Sequence, residues 1–97
     1  MNELEQCMTD MSVSIMNRYK VPKNRYSIFE IVDNSYSLHK EDDYYTLYWL
    51  ENFTKRLIIK SRNIKFVFSY LVMYCVPPQY KYEARQKFIN KVKMEEK

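Results

Sequence analysis

Apolar residues recur at three- and four-residue intervals from Leu4 through Cys7, Met8, Met11 and Ile15 to Tyr19. That spacing predicts a helix over 2–20 with one apolar face. Glu3 and Glu5 fall in its first turn and Arg18 and Lys20 in its last, as the helix dipole favours. The Val21-Pro22 pair stops it, because a residue before proline avoids helical angles. A polar connector, Lys23-Asn24-Arg25, follows.

The next stretch has two parses. Ser27 and Glu30 have the spacing of a capping box, and the preferred reading is a short helix through Val32. The alternative makes 26–32 a strand, turns the chain at Asp33-Asn34 and alternates apolar and polar residues over 36–40. The run Lys40-Glu41-Asp42-Asp43 then breaks the pattern and ends in residues suited to a helix N-cap.

From Tyr44 the preferred reading is a helix to Lys60. Leu47, Leu50, Phe53, Leu57 and Ile58 fall on one side of it, and Glu51, Asn52, Lys55 and Arg56 on the other. Glu51 and Lys55 also stand four apart in the favourable order. The competing parse is a hairpin turning at Glu51-Asn52, since Tyr, Thr, Trp and Ile favour strands. Ser61-Arg62-Asn63 interrupts with capping residues. The stretch 64–76 is apolar nearly all round, which predicts a buried central helix with a stripe of Ile64, Val67, Phe68, Leu71 and Cys75. Phe66, Phe68, Tyr70, Val72 and Tyr74 also alternate as a strand face would, but the run is long for a strand. Pro77-Pro78 ends it. A last helix over 79–94 has a narrow seam of Ala84, Phe88 and Val92, flanked by Arg85 and Lys91.

Glycine weighs on the fold class because the chain contains none. Tight hairpins favour glycine for positive φ. Helices joined by Pro, Asn and Ser do not need it. The expectation is therefore a mainly α, single-domain bundle of about four to five helices spanning 1–97. The alternative is α+β, with an N-terminal helix, a central antiparallel meander and a C-terminal helix.

Composition and charge narrow the function. At 46% hydrophobic residues the chain is not a disordered one. The residues it favours have A/T-rich codons, which suggests an AT-rich genome, such as a phage, a virus or a low-GC bacterium. Cys7 and Cys75 lie in apolar surroundings and read as buried reduced thiols in a cytoplasmic protein. No signal peptide is visible, and 66–76 is too short to span a membrane. The net charge of +4 hides an asymmetry: 1–54 carry five basic and nine acidic residues, net −4, while 55–97 carry eleven and three, net +8.

No catalytic or cofactor motif emerges. His39 with Glu41, Asp42 and Asp43 offers a metal set in outline, but it reads as a solvated loop and helix cap with no second His or Cys at ligand spacing. Without glycine there is no GxSxG turn and no phosphate-cradling loop. The expectation is a non-enzymatic protein with no metal, cofactor or small-molecule substrate. Ten tyrosines and a tryptophan exceed what a core this size hides. Tyr44, Tyr45, Tyr48 and Trp49 are therefore the candidate surface for a protein partner or for self-association as a homodimer. The accompanying picture is a small phage or viral accessory protein that inhibits or redirects a host factor. The alternative is nucleic-acid binding through Lys55, Arg56, Lys60, Arg62 and Lys65, joined by Arg85 and Lys91 on the last helix.

Overall fold

A computed structural model describes residues 1–95, so Glu96 and Lys97 lie outside the described residues. Three helices pack on one side of a four-stranded sheet. Helix α1 (Glu3–Arg18) leads by a single 3-10 turn into strands β1 (Tyr26–Ile28), β2 (Ser35–Glu41), β3 (Tyr44–Glu51) and β4 (Thr54–Ser61). Helix α2 (Ile64–Cys75) and, after a second 3-10 turn, helix α3 (Lys81–Glu95) complete the chain. The strands lie in the order β1-β2-β3-β4; β2, β3 and β4 form an antiparallel meander, and β1 pairs parallel to β2.

This α+β arrangement corrects the mainly α bundle of four to five helices. The first, central and last helices lie close to where the periodicity puts them. Residues 26–28 form strand β1 and 29–32 are irregular rather than helical, while 44–60 holds β3, a turn at 52–53 and most of β4. Ser27 caps no helix: its hydroxyl donates to Ser37 at 2.9 Å from inside the sheet. The alternative reading has the N-terminal helix and the meander, but lacks the parallel β1 and has one C-terminal helix where there are two.

The error at 44–60 has a physical source. Along β3, Leu47 faces the helices, whereas Leu50 faces the opposite side and is only 2% exposed. A strand buried on both faces loses its alternation. A bulge between Leu47 and Tyr48 then shifts the pairing with β4, and the resulting spacing imitates a helical stripe. The hairpin turns at Asn52-Phe53, one residue beyond the expected position, with Glu51 paired to Thr54.

The chain turns tightly without glycine because other residues take the left-handed conformation. Asn52 and Phe53 have φ of 51° and 59°, the signs a I′ hairpin turn requires. Asp42, at φ 55°, turns the β2–β3 hairpin, and Asn34 and Phe29 bracket the β1–β2 connection at 57° and 59°. Lys20, at φ 58°, closes α1. Its N–H donates to Asn17 O at 3.0 Å and that of Val21 to Met16 O at 3.0 Å. This is a Schellman cap with a lysine in the glycine position, and the buried Val21 and Met16 supply its apolar contact.

The core lies between the sheet and the helix layer. Met8, Met11, Ile15 and Met16 from α1 meet the stripe of α2, Ala84, Phe88 and Val92 from α3, and Leu38 and Leu47 from the sheet. The start of α1 is fixed by a capping box that the Ser/Thr form of the motif conceals. Asn2 Oδ1 accepts from Glu5 N–H at 2.8 Å, and Glu5 accepts from Asn2 N–H at 2.9 Å. The buried Glu5 also accepts from the Tyr45 hydroxyl at 2.8 Å and lies 3.7 Å from Lys40, which ties α1 to the sheet.

Candidate partner-binding face of the sheet

Strand alternation assigns the candidate residues to two surfaces. Tyr45, Leu47 and Trp49 pair with Lys40, Leu38 and Tyr36 and share the helix side. Tyr44, Thr46, Tyr48 and Leu50 share the other side, with Ser37 and His39 of β2 and Lys55, Leu57 and Lys60 of β4. Among the described residues no helix covers that second side. The segment 29–34 crosses one end of it: Glu30 O and Val32 O accept from Ser37 and Ser35 at 3.2 and 2.6 Å, and Asp33 accepts from Phe53 N–H at 2.8 Å.

The uncovered face is ordered by its own contacts. Lys60 stands 4.6 Å and Arg62 5.0 Å from the centre of the Tyr44 ring, and Lys55 5.2 Å from that of Tyr48. Such cation–π contacts hold the rings and charges in register. The Tyr48 hydroxyl donates to Glu41 at 2.7 Å; burial first, then that carboxylate, raise its pKa. Leu57 lies beside these groups, 53% exposed, on a strand whose outer edge is unpaired in the sheet.

His39 lies 2.7 Å from Ser37 Oγ, a contact with the outline of a nucleophile–base pair. The hydrogen bonding argues otherwise. Ser37 is fully buried, donates to Glu30 O and accepts from Ser27, so its remaining acceptor position takes the His39 Nε2–H. The imidazole is thus a donor to the serine, not a base on it. Burial first and Lys55 second push its pKa below the ordinary 6.5, which leaves it neutral at pH 7. Asp42 and Asp43 turn outward at the hairpin tip. Among the described residues no group of three or more His, Cys, Asp or Glu is placed to hold a metal ion.

The two candidate sets are only partly brought together. Tyr44 and Tyr48 join Lys55, Lys60 and Arg62 on the uncovered face. Tyr45 is 8% exposed, its hydroxyl bound to Glu5 and its pKa pushed up to about 12 by burial and that bond, so it belongs to the core. Trp49 packs on Tyr36 at 4.9 Å on the helix side, opposite Arg56. Lys65 stands in the first turn of α2, and Arg85 and Lys91 belong to α3, in the other layer.

One aromatic row links the sheet to α2. From Trp49 and Tyr36 a ring contact continues to Tyr74 at 5.7 Å, then to Tyr70 at 6.2 Å and Phe66 at 4.9 Å. The i, i+4, i+8 spacing of Phe66, Tyr70 and Tyr74 carries this signal, but the same letters also read as a strand face. Cys75 is buried, and its thiol is pushed up to about 12; Cys7 is half-buried, and both are free. Among the described residues no helix is long and apolar enough to cross a membrane. Comparison with models of known protein families, with curated proteins and with solved structures finds no match.

Proposed function

We propose that this protein acts by binding another protein through the uncovered face of its sheet, as a small non-enzymatic accessory protein of the phage or viral type. The observation that carries the reading is the set of Tyr44, Tyr48 and exposed Leu57, fixed side by side on paired strands and edged by Lys55, Lys60 and Arg62. Tyrosine and arginine are the residues enriched where proteins meet, and rings already held in place lose little entropy on binding. The cationic edge favours a partner whose facing surface carries carboxylates, through steering and orientation more than through raw affinity.

Nucleic-acid binding has weaker support. Bases stack on bare ring faces, but Tyr44 and Tyr48 are covered by cations. A backbone-tracking groove needs its cations on one surface, and these are divided between the two sides of the sheet and α3.

The test substitutes Leu57→Asp and Tyr48→Ala, with Lys87→Ala on α3 as a control, and measures the protein retained from host lysate together with binding to random-sequence RNA. Leu57→Asp and Tyr48→Ala are expected to weaken retention by about 30-fold, as an interface residue worth 2 kcal/mol would, and the control is expected to leave it unchanged. Equal retention by all the variants, or RNA binding that falls steeply with salt and needs Lys55 and Lys60, overturns the reading.

A further inference from the structure

A second surface lies in the helix layer, away from the uncovered face of the sheet. Helices α2 and α3 part near the start of α2 and leave a groove of about 240 Å³. Phe88 and Val92 form its buried floor, while Phe66, 37% exposed, and the half-buried Ile89 form its walls. The floor presents no unsatisfied polar group: Ser69, the polar residue at its base, donates to Phe66 O at 2.6 Å. Among the described residues the charged groups around this apolar slot are Lys65, Arg85 and Lys93, and none that lines it is acidic.

We propose that this groove binds a small amphipathic anion, an alkyl carboxylate whose chain lies against Phe66, Phe88, Ile89 and Val92 and whose carboxylate is taken by Arg85. Charge complementarity selects the ligand class. An apolar slot alone takes any hydrocarbon, but Arg85 and Lys93 at its rim discriminate for a negative head group. Arginine suits the task because its planar fork matches a carboxylate with two parallel N–H···O bonds. The volume is below the 300–1,000 Å³ that houses a drug-sized ligand, which limits the occupant to a short chain or a single ring. The proposal is independent of the protein-binding reading, whose residues lie in the sheet.

Amide chemical shifts of the whole chain decide the matter, with octanoate, 1-octanol and octyltrimethylammonium as probes, each below its micelle concentration. Octanoate is expected to give saturable shifts centred on Phe66, Ile89 and Val92, and the cationic probe none. Arg85→Gln should weaken octanoate about tenfold and leave the weaker octanol response unchanged. Ile89→Trp, which fills the groove from its outer wall, should abolish both. Equal affinity for octanoate and octanol, an undiminished octanoate response in Arg85→Gln, or shifts confined to other surfaces overturns the assignment.

Discussion

The left-handed residues can be tested one at a time. A side chain at positive φ costs about 1–2 kcal/mol relative to glycine in the folded state, and glycine gives back about 0.5–1 kcal/mol through the entropy of the unfolded chain. Lys20→Gly and Phe53→Gly are each expected to raise stability by about 0.5–1 kcal/mol, read as a rise in Tm of about 2–8 °C. Asn34→Gly and Asn52→Gly should do less, because asparagine already tolerates this region. Titration gives a second residue-scale prediction. The His39 pKa is held below 6.5 by burial first, so the folded state resists its protonation. Stability should fall as pH drops from about 6.5 through the folded value, and His39→Gln should remove that step. The carboxyl of Glu5 is held below its ordinary 4.5, chiefly by the N–H of Asn2, with Tyr45 and Lys40 adding against the cost of burial. Its stabilisation is present above 4.5 and lost as pH falls through the folded value, so Glu5→Gln should flatten that lower step. Urea midpoints measured across pH check both. The bond from Tyr45 to Glu5 is not legible in the sequence, since a partner forty positions away leaves no local mark.

Elements were legible where one physical signal acted alone. The first and last helices show a single buried stripe, and α2 is too long and too apolar for a strand. The stretch 44–60 fails because two signals conflict: side chains suited to strands, and a spacing that the double burial of β3 and the bulge make look helical. The cap of α2 was legible too. Asn63 accepts from Phe66 N–H at 3.2 Å at the start of a helix that has no acidic residue in its first turn. Asn63→Ala is expected to lose about 1 kcal/mol, measured by chemical denaturation, and Asn63→Asp to keep most of it. β4 presents an unpaired edge beside exposed Leu57. Its Lys55, Arg56 and Lys60 also discourage edge-to-edge pairing, a familiar use of charge on such strands.

For the whole molecule, the charge division along the chain does not become a division in space. The acidic half supplies α1 and most of the sheet, and the basic half supplies β4 and the two helices that pack back on them. Charges of both halves therefore meet at the uncovered face, where Glu41 of β2 lies near the cations of β4. This explains why the run Lys55 to Lys65 was readable as a cluster but not as a surface. The same layering decides the tyrosines. Tyr45 is consumed by the core, Tyr36 of β2 packs on Tyr74 of α2, and Tyr44 and Tyr48 lie half-buried on the uncovered face.

The parallel β1 has a consequence for how the molecule folds and opens. Parallel neighbours are ordinarily joined by a crossover of a dozen residues or more, yet β1 and β2 are joined by 29–34 alone. Three residue pairs and hydrogen bonds from Ser35, Ser37 and Phe53 hold this unit, and each bond needs the β2–β3–β4 meander as its template. The segment 22–34 should therefore dock last in folding and detach first in the native state. Its amides, Ile28 and Phe29 among them, should exchange with solvent through a sub-global opening at least tenfold faster than those of Leu38 and Leu47. Matching exchange rates across β1 and β3 would show that the sheet opens as one piece.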